Sequence, residues 1–131
     1  MSATYRPATA AESYRRVLRG DDPRLALGDF LDDWRRTPAA RRMELVRDPL
    51  DEAPPTADMH RWAAFFAATV DKLSADSQQD APPWTSRPEY RLAEPWFLVR
   101  GWGLRAEHLF RTPVPFRMRN IFGGEDLLER A

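Results

Sequence analysis

The spacing of prolines constrains the fold of this 131-residue chain more than any other sequence feature. Twelve prolines are present, and the longest segment without one lies between Pro55 and Pro82. Proline removes a backbone donor and clashes with the preceding helical turn, so a long helix requires a proline-free segment. The segment after the proline-rich linker Asp51–Thr56 is therefore the best candidate for a long helix.

Apolar residues in this segment recur at helical spacing. One face over four turns carries Met59, Trp62, Ala63, Phe66, Val70 and Leu73. Phe65, Ala67 and Thr69 lie off that face, so we expect the helix to be apolar on more than one side and central to the core. The polar residues 74–80 are expected to form a loop.

Capping signals divide the residues before the linker into shorter helices. Thr9 followed by Glu12 forms a capping box, and Gly20 is placed to end that helix. Asp22-Pro23 starts a second helix, because aspartate is a favoured N-cap and proline suits the first helical position. Thr37-Pro38 repeats this signal. The apolar face of the second helix comprises Leu27, Phe30, Leu31 and Trp34.

The last third of the chain combines recurring prolines with tryptophans at positions 84, 96 and 102. This pattern predicts ordered loops fixed by buried aromatic side chains. A helix fits residues 104–111, an extended segment fits 117–122, and a final helical turn fits 125–130. The sequence thus predicts one all-α domain over residues 1–131. Its helical part spans about 8–75, and an irregular, proline- and aromatic-rich part spans about 76–131.

Composition excludes several classes of protein. The chain has no cysteine, which excludes disulfide frameworks and cysteine nucleophiles, and its formal net charge is zero. A neutral chain is not a generally basic nucleic-acid-coating protein. The longest uncharged stretch, Trp62 to Val70, is too short to span a bilayer, and no apolar signal segment follows Met1. We therefore expect a cytoplasmic protein.

The sequence contains no recognisable catalytic or metal-binding pattern. His60 and His108 are far apart along the chain and lack further ligands at fixed spacing. Serines lack a nucleophile-elbow setting, and the glycine pairs lack the rest of a phosphate-binding loop. We expect no cofactor, no metal and no enzymatic activity. A site assembled from the dispersed residues Asp58, His60 and His108 stays a minor alternative, which lapses if these residues lie far apart.

A charge asymmetry marks the stretch from Arg100 to Arg119, called here the basic strip. It contains five arginines and one acidic residue, with aromatic residues between them. Such a pattern is compatible with three roles. The arginines can pair with carboxylates within the fold, form a protein interface, or bind nucleic acid by phosphate contacts and base stacking.

Several segments resemble a group of small bacterial proteins. The segments are Asp29–Trp34 continuing to Pro49, Trp62–Thr69, Pro82-Pro83-Trp84, Pro95-Trp96-Phe97 and Thr112–Phe122. They resemble the helical antitoxin-side partners of nucleotidyltransferase-type toxins, over about residues 29–131. The most specific segment is the Pro-x-Pro-Phe-Arg-x-Arg-Asn-Ile-Phe ending. The helix-turn-helix module often attached to such proteins is not evident here, which leaves DNA-based autoregulation in doubt.

The resemblance implies a protein that binds and restrains a partner, with a nucleotidyltransferase-like toxin as the expected partner. We expect a non-enzymatic interaction module whose partner-binding residues, if exposed, are Trp84, Trp96, Phe97, Trp102, Arg117, Arg119 and Phe122. The alternative is a nucleic-acid-binding regulator that uses the basic strip.

Overall fold

The computed structural model describes residues 6–50, 56–98, 111–124 and 127–128. Most of the described residues are helical and very few are in strands, so the predicted all-α class is confirmed. The chain divides into two compact units, Met1–Glu52 and Ala53–Ala131, called here the first and second units. The division falls inside the predicted linker. That the two units make up a single domain stays a prediction.

The first unit contains two α-helices and a 3-10 helix, which follow the predicted capping signals. Helix α1 (Ala10–Leu18) begins at a complete capping box formed by Thr9 and Glu12. Gly20 has φ +103°, which a residue with a side chain rarely adopts, and the chain then enters helix α2 (Pro23–Arg36) through the N-cap Asp22. The third predicted start, Thr37-Pro38, leads into a 3-10 helix over Ala39–Val46.

Helices α1 and α2 pack against each other through apolar faces. Tyr14, Phe30 and Val46 are completely buried in this core. Arg16 reinforces the pairing of the helices, because its guanidinium donates to Asp21 at 2.9 Å and to Asp29 at 3.1 Å. These two hydrogen bonds raise the pKa of Arg16.

Helix α3 (Ala57–Asp76) is the long helix predicted from the proline-free segment. All nine consecutive residues from Trp62 to Val70 are buried, so the expectation of a central helix with more than one apolar side is confirmed. The helix ends at Asp76, so the first three residues of the loop predicted at 74–80 are helical. Ser74 is buried and its hydroxyl donates to the carbonyl of Val70, which satisfies this polar group inside the helix.

Short elements complete the second unit around α3. Two 3-10 turns span Pro83–Ser86 and Pro88–Tyr90, and the four-residue helix α4 spans Val114–Arg117. Strands β1 (Trp96–Phe97) and β2 (Ile121–Phe122) pair in parallel, with Trp96 opposite Ile121.

The extended segment predicted at 117–122 is therefore extended only at its end. Arg117 closes α4, and Asn120 adopts a left-handed φ of +65° before the strand begins. The predicted helix at 104–111 and the final turn at 125–130 lie almost entirely outside the described residues. In the part of the chain that is described, no helix has both the length and the apolar character needed to cross a bilayer.

Candidate interaction surface

Trp96 belongs to an aromatic cluster built on α3. Its ring contacts Trp62 edge-on at 5.2 Å and Phe65 at 6.2 Å, and Phe65 in turn contacts Phe116 at 5.0 Å between centroids. The guanidinium of Arg61 lies 5.9 Å from the Trp96 ring centroid, a cation–π distance. Trp96 is half-buried. It therefore fixes strand β1 to α3 and keeps part of its surface accessible.

Trp84 and Phe122, two of the predicted partner-binding residues, are buried. Trp84 is 5% exposed and packs edge-on against Tyr90 at 5.7 Å, which joins the two 3-10 turns. Phe122 is 7% exposed and stacks on the half-buried Phe97 at 5.1 Å. The prediction required exposed side chains, and the core packing of these two rings does not meet that requirement.

Arg119 is also buried, at 4% exposure, and it connects three segments of the second unit. Its Nη1 donates to the carbonyl of Pro115 at 2.6 Å and to the carboxylate of Asp71 at 3.2 Å, while Nη2 donates to the carbonyl of Thr85 at 2.8 Å. Burial lowers the pKa of Arg119, and the charge of Asp71 opposes that shift. This arginine is a structural cross-link, and its burial does not meet the condition of exposure under which it was predicted to contact a partner.

Helix α4 is held in place at both of its ends. The buried hydroxyl oxygen of Thr112 accepts hydrogen bonds from the N–H groups of Gly123 and Gly124, at 3.1 and 3.0 Å. On the other side, Arg119 ties the helix to α3 through Asp71, and Phe116 is completely buried. The surface of α4 is consequently presented on a rigid base.

The exposed side of α4 carries two large apolar side chains. Val114 is 52% exposed and Met118 is 54% exposed, and their spacing of four residues places them on the same side of a helical turn. Arg111, three residues before Val114, is exposed, and Arg117 is half-buried. We call Arg111, Val114, Arg117 and Met118 the α4 patch.

Arg117 contributes an unusual group to this patch. Its Nε–H is buried, and no acceptor lies within hydrogen-bond distance of it among the described residues. A buried donor without an acceptor costs about 1–3 kcal/mol.

Sequence reasoning found Arg117 but missed Val114 and Met118. The prolines at 113 and 115 favoured a loop, yet Pro113 is the N-cap of α4 and Pro115 lies within its first turn, where proline is tolerated. The available signal was the four-residue spacing of Val114 and Met118 directly after a proline.

Several of the remaining candidate residues lie outside the described part of the chain. Trp102, Arg100 and Arg105 lie outside the described residues, as does His108. His60 donates from Nε2 to the carbonyl of Glu89, and Asp58 is exposed. Within the described ranges, no three metal-ligating side chains come together. Among the described arginines of the basic strip, Arg111 is exposed, Arg117 is half-buried and Arg119 is buried.

No known protein family, curated protein sequence or solved structure matches this chain. The geometry of the α4 patch is therefore the principal guide to function.

Proposed function

We propose that this protein is a non-catalytic interaction module that binds a partner protein through the α4 patch. The observation that carries the proposal is the pair of large apolar side chains, Val114 and Met118, each more than half exposed on a rigidly held turn. In the free protein, this pair exposes apolar surface to water. Binding in an apolar pocket of a partner would bury that surface, which is favourable.

The rigid base of α4 supports this role energetically. Association costs free energy when loops and side chains must be ordered, and a preorganised surface reduces that cost. Thr112 and Arg119 fix α4 before any partner arrives. The unbranched thioether side chain of Met118 can adapt to an irregular pocket.

The charges of the patch favour an acidic partner surface. Arg111 and Arg117 lie on either side of Val114 in the sequence, and arginine is enriched among the residues that dominate binding energy. A carboxylate on the partner could accept from the terminal nitrogens of Arg117, a half-buried side chain of the patch. The proposed partner site is an apolar pocket bordered by carboxylates.

The antitoxin-like resemblance gives this proposal its specific form. Its most distinctive segment, Pro113–Phe122, contains α4 and β2. In this form the partner is a nucleotidyltransferase-like toxin in the cytoplasm, and the α4 patch restrains it by covering its active site or substrate path. The chain needs no cofactor for such a role.

The test uses the protein encoded by the neighbouring gene as the candidate partner. Both proteins are co-expressed and purified, and their dissociation constant is measured by calorimetry. We expect the double substitution Val114→Glu/Met118→Glu to weaken binding at least tenfold, because charged side chains would enter an apolar contact.

Leu25→Glu is the matched control. Leu25 is 51% exposed and lies in the first unit, so its substitution places one glutamate at a comparably exposed apolar site outside the α4 patch. We expect it to leave the dissociation constant unchanged. Equal binding by the double variant and by Leu25→Glu, with circular dichroism showing both folded, would exclude the α4 patch as the binding surface.

A further inference from the structure

We propose that a cleft in the first unit binds a small organic anion with an apolar body and a carboxylate. The cleft has a volume of about 690 Å³ and is formed by three segments: the residues before α1, the C-terminal end of α2 and the 3-10 helix Ala39–Val46. This volume lies within the range of small-molecule sites, roughly 300–1,000 Å³. The inference is independent of the role proposed for the second unit.

The apolar part of the cleft wall comes from residues with little conformational freedom. Pro7 and Pro38 line it, together with Leu45, which is 7% exposed. Proline rings are rigid, and Leu45 is fixed by the core. An apolar ligand body would therefore meet a preformed surface, which lowers the entropic cost of binding.

Three arginines provide the positive charge of the cleft. Arg6, Arg36 and Arg41 line it, and their side chains are 74%, 67% and 71% exposed. They come from three different segments that the fold brings to one cleft, and Arg6 also pairs with Glu12 at 2.6 Å. Arginine presents a planar set of donors that matches a carboxylate in a bidentate geometry.

Two acidic residues also line the cleft, so the arginines of its wall exceed the carboxylates by one. Asp33 has a side chain only 5% exposed, and its Oδ2 accepts from the N–H of Ala8 at 2.9 Å. Its carboxylate thereby ties the segment that carries Arg6 and Pro7 to α2. Glu44, the other acidic residue in the cleft wall, forms an ion pair with Arg41 at 3.9 Å, and Asp33 lies 4.0 Å from Arg36; both distances are longer than a hydrogen bond.

Charge and shape together select the ligand class. The net positive charge of the cleft wall, three arginines against two carboxylates, disfavours a cation, and a purely inorganic anion would leave the apolar wall uncovered. An aromatic carboxylate satisfies both parts, because its ring can cover Pro7, Pro38 and Leu45 while its carboxylate pairs with Arg41 and its neighbours.

The test measures binding of 2-naphthoate to the full chain by isothermal titration calorimetry. Two further probes separate the contributions: 2-naphthamide keeps the rings without the charge, and inorganic phosphate keeps charge without the rings. We expect saturable 2-naphthoate binding at one site, with both other probes at least tenfold weaker. Arg41→Gln should weaken 2-naphthoate binding about tenfold.

Arg24→Gln is the matched control, since Arg24 is exposed on α2 and is not part of the cleft wall. We expect it to bind 2-naphthoate like the native protein, and we expect amide shifts in NMR spectra to concentrate between Thr37 and Leu45. The proposal is overturned by an absence of saturable binding, by equal affinity for the amide or for phosphate, or by an Arg41→Gln variant that binds unchanged.

Discussion

Arg119 shows how one side chain organises the C-terminal part of the second unit. Its guanidinium meets two carbonyl oxygens and one carboxylate that come from α3, a 3-10 turn and α4. A buried guanidinium is stable only when its donors are satisfied, and these contacts provide that satisfaction. The residue thus determines how α4 sits on α3, and hence how the α4 patch is displayed.

We expect Arg119→Lys to lower the free energy of unfolding by about 2–3 kcal/mol, since a single ammonium cannot replace hydrogen bonds made by two guanidinium nitrogens. Urea denaturation followed by tryptophan fluorescence measures the change. Arg91→Lys is the control, because Arg91 is exposed in the same unit and also keeps its charge. Similar unfolding free energies for the two variants would contradict the cross-linking role of Arg119.

Whether the role of a residue could be predicted from the sequence depended on how close its partners lie along the chain. The caps formed by Thr9 with Glu12 and by Asp22 could be predicted, because their partners lie within three residues. The burial of Arg119 could not, since Asp71 and Thr85 are 48 and 34 residues away. In the sequence, an arginine whose partners are distant along the chain cannot be distinguished from an arginine on the surface.

At the level of elements, the position of helix α3 in the core depends on alanines that lie between larger side chains. Ala63, Ala64, Ala67 and Ala68 are buried between aromatic side chains of the same helix, and Ala64, Ala67 and Ala68 are completely buried. Small side chains at these positions let neighbouring segments approach the helix closely. Ala67 is therefore a sensitive position for added volume.

We expect Ala67→Leu to destabilise the protein by about 1–3 kcal/mol, because added methylenes in a closely packed core force neighbouring side chains from their preferred rotamers. Ala75→Leu provides the comparison, since Ala75 is exposed near the end of the same helix. Its effect should remain within about 0.5 kcal/mol. Thermal and urea denaturation of both variants measure the change in the free energy of unfolding. Equal changes for leucine at the two positions would contradict tight packing around Ala67.

The contrast between α3 and α4 explains which elements the sequence could predict. Helix α3 carries an apolar pattern over 20 residues, which is strong enough to identify it without tertiary information. Helix α4 has only four residues, one of which is Pro115, so it has little intrinsic tendency to form. Contacts made by Phe116 and Arg119 stabilise it, and such contacts are invisible before folding.

At the scale of the whole molecule, charge is balanced within each unit as well as overall. The first and second units each contain as many acidic as basic residues, and the complete chain has a formal net charge of zero. Long-range electrostatic steering is therefore weak, and the local arginines of the α4 patch act at short range. Partner recognition would then depend mainly on apolar contact.

This balance leads to a salt dependence that separates a protein partner from nucleic acid. If the α4 patch binds a protein mainly by apolar contact, raising salt from 50 to 500 mM should weaken binding only a few-fold. Nucleic-acid binding through Arg111 and Arg117 would instead release counterions and lose about 60-fold in affinity for two phosphate contacts. Filter binding with single- and double-stranded oligonucleotides and calorimetry with the candidate partner, both across this salt series, provide the two measurements. Steep salt dependence with an oligonucleotide, abolished by Arg111→Glu/Arg117→Glu, would favour the nucleic-acid role over the interaction module.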